Sequence, residues 1–284
     1  MLTEFSYRIF GDFAKSIRFY FIDMKNGIQR ANMNYTLDEY LSLAIFTTAI
    51  TFFSETVMLS FIFGFFTDAF TALLLSFTLS CGLSGIMFFL FYSYPSSVSK
   101  SRQKKIQKVL PFSVSYMTTL ASSRLPPIML FKTLSKFKDY GEIAEEANTL
   151  VRDVEMFGMT FSSAVRKRAR RTPSKEFSEI LYGISTVVSS GGDLALYLKE
   201  KSESLMNDYR RRIRKYAQDL SLFVEIYLTL IITGSIFFIV LSSVISTISG
   251  GLGTIAVQSF VVLALLPLIS MGFIVLIKSI SPTE

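Results

Sequence analysis

The sequence predicts an all-α polytopic membrane protein, in which two transmembrane helix hairpins flank a cytoplasmic helical bundle. Half of the 284 residues are hydrophobic, 28 of them phenylalanine, and the mean hydropathy is +0.45. Four stretches of at least 23 residues are almost free of charge. A helix of about 20 apolar residues crosses a bilayer core about 30 Å thick. This composition excludes a simple soluble enzyme.

The four apolar stretches form two pairs, and each pair predicts one hairpin. The predicted spans are residues 41–66, 69–92, 226–248 and 254–277. Residues 67–68 join the first pair, and the Ser/Gly-rich residues 249–253 join the second. The spans divide the rest of the chain into an N-terminal segment (1–40), a central segment (93–225) and a tail (278–284).

Positive charge is concentrated outside the hairpins. Of the 29 Lys and Arg, 5 lie in the N-terminal segment, 23 in the central segment and one, Lys278, in the tail. The two turns within the hairpins contain none. Because excess Lys and Arg mark the cytoplasmic side of a membrane, we predict that the N-terminal segment, central segment and tail are cytoplasmic. We therefore expect a multi-pass protein of the cell membrane.

The N-terminal segment begins with an amphipathic pattern. Phe5, Ile9, Phe13, Ile17 and Phe21 recur at helical spacing, which predicts a helix lying at the membrane interface. Packing of this helix on the central segment is the alternative. The pattern lacks the continuous apolar region of a secretory signal, so we expect the spans themselves to direct insertion.

Apolar residues also keep helical spacing through the central segment, and this predicts a bundle of about five or six helices. Four apolar stripes begin at Ile106, Ile143, Phe177 and Leu194. The fourth stripe runs towards the third predicted span, so we expect one helix that continues from Leu194 into the membrane.

Turn residues separate the predicted helices. Thr172-Pro173 has the pattern of an N-cap followed by Pro at the first helical position. Gly191-Gly192 is expected to end that helix, and Asp193 to cap the next one. Leu125-Pro126-Pro127 separates two earlier helices, and Gly158 is expected to end the helix of the second stripe.

Residues that commonly carry catalysis or bind metals are scarce. His is absent and Cys81 is the single cysteine, which excludes a disulfide, a His/Cys metal site and a Cys/His catalytic pair within the chain. A phosphate-binding loop of the GxxxxGK[ST] form is also absent. Two Ser-x-x-Lys matches, at Ser97 and Ser135, lack the motifs that accompany them in acyl-transfer enzymes. We therefore predict no catalytic residue, no cofactor, no metal and no enzymatic activity.

Two basic clusters are candidate binding surfaces. The first comprises Arg166, Lys167, Arg168, Arg170 and Arg171; we interpret it as a surface for an acidic protein partner, with a solvated face as the alternative. The second comprises Arg210, Arg211, Arg212, Arg214 and Lys215, close before the third span. We interpret the second as a topology signal that also attracts anionic lipids, by about 1 kcal/mol per charge. Nucleic acid is not an expected partner, because no recognition motif accompanies either cluster.

Glu55 is an ionisable residue in the middle of the first predicted span. Placing such a group at the centre of a membrane costs roughly 2.5–3.5 kcal/mol. We therefore expect Glu55 to face another helix or a polar cavity. A functional role and simple hydrogen bonding between helices are both compatible with this position.

Several short motifs follow one another between Leu110 and Leu230. They include Leu110-Pro111-Phe112, Pro126-Pro127, Tyr140-Gly141-Glu142, Phe157-Gly158, Arg171-Thr172-Pro173-Ser174, Ser190-Gly191-Gly192-Asp193-Leu194 and Glu225-Ile226-Tyr227. In this order, between two pairs of spans, they make the chain resemble the inner-membrane platform family of type II secretion and type IV pilus machines. The resemblance is closest to the archaeal and TadC-like members. Arg124 and Thr160 depart from the family pattern, which has a small residue and an acid there.

The resemblance implies a non-enzymatic role in building a pilus or pseudopilus. It implies that the central segment docks a hexameric secretion ATPase, whose motion drives insertion of pilin or pseudopilin subunits. Many archaeal relatives carry two copies of the helical domain and this chain has one, which implies a homo-oligomer or pairing with a second platform protein. The alternatives are a small polytopic membrane transporter and a membrane-tethered signalling module.

Overall fold

The computed structural model describes residues 2–249, 259–260, 263–264 and 266–280. Its regular elements are helices, which confirms the predicted all-α fold. The α-helices are α1 (Leu2–Ile17), α2 (Ile22–Arg30), α3 (Leu37–Gly64), α4 (Ala69–Ser122), α5 (Pro127–Leu134), α6 (Glu142–Glu155), α7 (Phe161–Arg171), α8 (Lys175–Ser190), α9 (Leu194–Ser249) and α10 (Leu266–Ile280). Short 3-10 helices cover Arg18–Phe21 and Lys138–Tyr140.

Three of these helices, α3, α4 and α9, are long and apolar enough to cross a membrane, and α10 contains a shorter apolar stretch. The chain is therefore a membrane protein. The predicted spans 41–66, 69–92 and 226–248 fall largely on α3, α4 and α9. Most of the turn at 249–253 and the first part of the span at 254–277 lie outside the described residues. The sidedness of the membrane and the limits of the domains stay predictions.

The chain divides into two compact units, residues 1–202 and 203–284. In the first unit, α3 and α4 pack as an antiparallel hairpin. Tyr40, early in α3, contacts Phe91, and Phe52, further along α3, contacts Phe77, with ring centroids 5.5 Å apart. In the second unit, the Tyr227 ring of α9 lies 5.1 Å from the Phe273 ring of α10.

Helix α4 continues without interruption from the predicted second span into the central segment. Pro95, inside α4, has no N–H to donate to the Phe91 carbonyl four residues earlier. The Tyr40 hydroxyl of α3 donates to that carbonyl instead, at 2.9 Å. The neighbouring helix therefore satisfies the acceptor that the proline leaves open.

Helix α1 packs along α3. The rings of Phe5 and Phe10 lie 5.8 and 6.2 Å from the ring of Phe46, and Ala14 is fully buried. Phe5, Ile9 and Phe13, from the stripe that predicted this helix, are each more than half exposed. One face of α1 thus contacts α3, while Phe5, Ile9 and Phe13 each keep more than half of their surface exposed. Contact of these three side chains with the membrane interface stays a prediction.

Three of the predicted stripes, together with α5, supply most of the core of the central bundle. Its fully buried large side chains include Ile106, Leu110 and Met117 of α4, Leu130, Phe131 and Leu134 of α5, Ile143 and Leu150 of α6, Leu181 and Ile184 of α8, and Leu198 of α9. Leu198 is the buried member of the fourth stripe, and the other members of that stripe are partly exposed. The expectation of one helix running on from Leu194 is confirmed by α9.

Two helix boundaries test the predicted caps. Gly191 ends α8 with φ +70°, a conformation that glycine adopts without strain. The Asp193 carboxylate accepts from the N–H groups of Ala195 and Leu196 at 2.9 and 3.1 Å. Both predictions at this boundary are confirmed.

The predicted start of α8 at Thr172-Pro173 is wrong. The Thr172 N–H donates to the Arg168 carbonyl at 2.9 Å and so ends α7. The N-cap of α8 is Ser174, whose hydroxyl accepts from the Phe177 N–H at 3.3 Å. Ser174 caps the helix in place of Thr172, because serine is the stronger N-cap residue, and α8 therefore begins two residues later than the Thr-Pro pattern predicts.

A glycine lets α9 approach α8 closely. A Cβ on Gly183 would overlap the Tyr197 hydroxyl, which donates to the Ile180 carbonyl at 3.3 Å. Burial, and secondarily the charge of Glu179, raise the pKa of Tyr197, so the hydroxyl remains a neutral donor at physiological pH.

We expect Gly183→Ala to displace Tyr197, to break this hydrogen bond and to lower the free energy of unfolding by about 1–3 kcal/mol. Urea unfolding of the detergent-solubilised protein, followed by circular dichroism, measures the change. Gly82→Ala is the matched control, because a Cβ at Gly82 meets nothing within 4 Å. Equal stability of Gly183→Ala and the wild type would contradict the prediction.

Candidate functional site

Buried charged side chains connect the helices of the first unit. The Arg102 guanidinium of α4 lies 2.7 Å from the Glu142 carboxylate and 3.1 Å from the Glu146 carboxylate, both on α6. Its remaining nitrogen donates to the carbonyl of Arg30, the last residue of α2, at 2.8 Å. Arg102 therefore joins α2, α4 and α6.

The same cluster extends to α7. The Arg168 guanidinium lies 3.7 Å from Glu146 and 3.6 Å from Asp153. The Lys167 ammonium lies 3.0 Å from the other oxygen of Asp153. We call these six residues the ion-pair network: Arg102, Glu142, Glu146, Asp153, Lys167 and Arg168.

Burial makes the network important for the geometry of the bundle. Arg102, Glu146, Asp153 and Arg168 are each at most 6% exposed. Removing a charge from water costs several kcal/mol unless opposite charges and hydrogen bonds compensate. The alternating order of cations and anions supplies that compensation only while α4, α6 and α7 keep their relative positions.

The ion-pair network was not predicted from the sequence. Its acids lie on one helix at positions i, i+4 and i+11 (Glu142, Glu146 and Asp153), which places them on nearby faces of α6. This acidic stripe borders the apolar stripe of the same helix. Acids so close to the buried face are the one feature of the sequence that could have indicated buried ion pairs. The partners, 40 residues or more away for Arg102, have no local signature.

The first basic cluster is split by the fold. Arg168 is buried and Lys167 is bound to Asp153, so both belong to the ion-pair network. Arg166, Arg170 and Arg171 are exposed. We call these three residues the exposed arginine face. The predicted role of the cluster in binding a partner stays a prediction.

A polar cavity of about 370 Å³ adjoins two residues of the exposed arginine face. Its walls carry Arg166, Lys167 and Arg170 beside the hydroxyls of Ser162 and Ser189. The Arg166 Nε donates to the Ser185 hydroxyl of α8 at 2.9 Å, which holds the guanidinium in place. Such a surface is suited to carboxylates, because arginine pairs with them through charge-assisted hydrogen bonds.

The second basic cluster lies on α9 in the second unit. Its five residues, Arg210, Arg211, Arg212, Arg214 and Lys215, are all exposed. Arg211 forms an ion pair with Asp208, one turn earlier on the same helix. Attraction of this cluster to anionic lipids stays a prediction.

Glu55 is partly buried in α3. Its Oε2 atom is buried and has no hydrogen-bond partner among the described residues. An unpaired buried acceptor is unfavourable in an apolar environment. The Glu55 carboxyl group therefore keeps an acceptor atom that no described group satisfies.

Within the part of the chain that the structure describes, no group of three or more Cys, Asp or Glu residues could hold a metal ion. The buried charged groups of the ion-pair network are instead paired with one another. The arrangement can hold helices together and can bind charged partners, and the fold is that of a helical membrane protein with a compact, charge-rich helical domain beside its first two spans.

Comparison with known proteins identifies the domain. Residues 114–242 match the family model of type II secretion system (T2SS), protein F. These residues are similar to a protein F domain, so the resemblance predicted from the sequence is confirmed. The match begins within α4 and ends within α9.

The curated relatives are archaeal. A protein of Methanocaldococcus jannaschii described as uncharacterized is 28% identical over 134 residues, covering 47% of this chain and 22% of the relative. Flagella accessory protein J of the same organism is 28% identical over 137 residues (48% and 24%), and that of Methanococcus voltae is 26% identical over 145 residues (51% and 26%). The chain thus matches about a quarter of each relative's length. No solved structure matches it.

Proposed function

We propose that this protein is a membrane platform of a type IV pilus or type II secretion-like assembly machine. The observation that carries the proposal is the similarity of residues 114–242 to a protein F domain, and these residues contain most of the central bundle. The platform docks a cytoplasmic secretion ATPase and couples its motion to insertion of pilin or pseudopilin subunits. It has no catalytic chemistry of its own.

The distribution of charge supports the orientation that this function needs. The central segment carries 23 Lys and Arg against 14 Asp and Glu, so it is placed in the cytoplasm together with both ends of the chain. The exposed arginine face is then available to an acidic surface of the ATPase, where complementary charge fixes orientation and speeds association.

Helix continuity supports coupling. Helix α4 belongs both to the first hairpin and to the core of the bundle, where Arg102 ties it to α6. A displacement of α6 and α7 by a bound ATPase therefore moves α4 as well.

A membrane-tethered signalling module would predict a separable domain, and the unbroken α4 does not favour that alternative.

Other partners follow from the same proposal. The platform contacts pilin or pseudopilin subunits in the membrane and forms a homo-oligomer or pairs with a second platform protein. The second basic cluster contacts anionic lipids. Nucleic acid is not a partner.

The proposal is tested by affinity purification. The tagged full-length protein is extracted from its own cells in a mild detergent, and the bound proteins are identified by mass spectrometry. We expect a hexameric secretion-type ATPase and short pilin-like chains, and neither with an unrelated tagged multi-pass protein. Recovery of permease or regulatory subunits in place of the ATPase would overturn the proposal.

For Glu55, we expect Glu55→Ala to reduce filament assembly more than Glu55→Gln. Glutamine keeps a hydrogen-bonding side chain of similar size, whereas alanine removes both the acceptor and the packing. Counting filaments on cells that express equal amounts of each variant measures the effect. Wild-type assembly in both variants would leave Glu55 with a packing role alone.

A further inference from the structure

A large polar cavity in the first unit shares Arg168 and Arg171 with the first basic cluster but is separate from the smaller cavity beside Arg166 and Arg170. Its volume is about 770 Å³, which is within the usual range of ligand sites. It is bounded by the end of α2, by residues 32–38 at the start of α3, and by α6 and α7. The second basic cluster, on α9, does not contribute to it.

The walls of this cavity carry an excess of positive charge. Five cationic side chains line it, against the two acids Asp38 and Glu145. Arg18 is paired with Asp38 at 3.5 Å, and Arg168 belongs to the ion-pair network. The other three cations, Lys25, Arg152 and Arg171, are exposed and have no side-chain partner among the described residues.

Arg168 provides a second observation that points to a ligand. Its side chain is 6% exposed, yet its Nε has no hydrogen-bond partner among the described residues. Its contacts with Glu146 and Asp153, at 3.7 and 3.6 Å, are longer than charge-assisted hydrogen bonds of about 2.7–2.9 Å. A buried cationic donor left open costs free energy, so an additional acceptor would stabilise this wall of the cavity.

The position of the cavity relative to the predicted first span indicates which kind of hydrogen-bond acceptor the cavity would bind. Thr36 and Leu37 at its rim are the N-cap and first residue of α3, an apolar helix long enough to cross the membrane. The first predicted span begins at residue 41, four residues beyond Leu37, so the cavity lies at the predicted level of the lipid headgroups. Lysine and arginine bind phosphate by charge and by forked hydrogen bonds.

We propose that this cavity binds the phosphate group of a molecule whose polar part carries a net negative charge. An anionic phospholipid headgroup and a soluble phosphate share this chemistry. The volume exceeds what a single phosphate needs, and the rim adjoins a span, so the lipid headgroup is the occupant that fits best. This site does not depend on the proposed function, and its test involves no ATPase.

The test uses the full-length protein in a zwitterionic detergent. Its thermal unfolding is followed by circular dichroism while short-chain phosphatidylglycerol, short-chain phosphatidylcholine or inorganic phosphate is added at constant ionic strength. A ligand that binds the native state raises the melting temperature as its concentration rises. We expect a saturable rise with phosphatidylglycerol and none with phosphatidylcholine.

Matched variants locate the site. Replacing Lys25, Arg152 and Arg171 together with Gln removes three cavity charges, and at about fivefold per charge the apparent affinity falls roughly a hundredfold. Replacing Lys104, Lys136 and Lys138 with Gln removes three exposed charges of the same unit outside the cavity and leaves the affinity unchanged. The melting temperatures without ligand show that both triple variants fold.

Each outcome decides the proposal. A rise with phosphatidylglycerol alone assigns the site to the lipid headgroup, and an equal rise with inorganic phosphate assigns it to a soluble phosphate. If both triple variants lower the apparent affinity equally, the binding is due to general surface charge, and the proposed site is overturned. The absence of a saturable rise with either anion would also overturn it.

Discussion

Glu146→Ala is expected to lower the free energy of unfolding of the first unit by about 3–5 kcal/mol, the range for removing one partner from a buried ion pair. Glu146 is 4% exposed and lies between two cations, 3.1 Å from Arg102 and 3.7 Å from Arg168. Alanine leaves both guanidinium groups without this carboxylate and opens space between α4 and α7. A loss of this size is a large part of the stability of a single domain.

Urea unfolding of the detergent-solubilised variant, followed by circular dichroism, measures this loss. Glu145→Ala is the matched control, because Glu145 is the neighbouring acid, is exposed, and forms no ion pair among the described residues. We expect the control to change stability by less than about 0.5 kcal/mol. A Glu146→Ala protein as stable as the control would show that the network contributes little.

Reversing the exposed arginine face to Glu (Arg166→Glu, Arg170→Glu and Arg171→Glu) is expected to weaken binding of the secretion ATPase by at least about a hundredfold, because attraction to an acidic surface becomes repulsion. Lys167 and Arg168 are left intact. They hold Asp153 and Glu146 in the interior, so reversing them would disrupt the bundle and not only the surface.

Co-purification and surface plasmon resonance with the purified ATPase measure this binding. The matched control reverses Lys104, Lys136 and Lys138, which are exposed on the same unit and change the net charge equally. Unaltered membrane insertion and unfolding behaviour show that the test variant is folded. If the two triple variants bind the ATPase equally well, the interface lies elsewhere.

The helices of the central bundle could be predicted because their signals are local. Most members of the stripes beginning at Ile106, Ile143 and Phe177 are buried as their spacing indicates, although Phe157 at the end of the second stripe is exposed. Gly191 and Asp193 end one helix and start the next. The pattern at Thr172-Pro173 was misleading because Ser174 offered a competing cap nearby. Hydropathy marked the end of the second span, but it carried no information on whether α4 continued beyond it.

The candidate site was less predictable, because its contacts join residues distant in sequence. Arg102 and Glu146 are 44 residues apart, and nothing near either residue indicates the other. The first basic cluster could have been divided from the sequence alone. Successive residues of a helix turn by about 100°, so Arg168 lies on the side of α7 opposite to Arg166 and Arg170. The same basic run therefore contributes one arginine to the interior and two to the surface.

The hydrogen bond from Tyr40 to the Phe91 carbonyl has a mechanical consequence. A proline within a helix is a common site of bending, because the backbone there lacks one of its hydrogen bonds. Here the open carbonyl, four residues before Pro95, is bound by the adjacent helix at 2.9 Å. Flexing of α4 at this joint must either break that bond or pull α3 along with it, so the two members of the first hairpin deflect together.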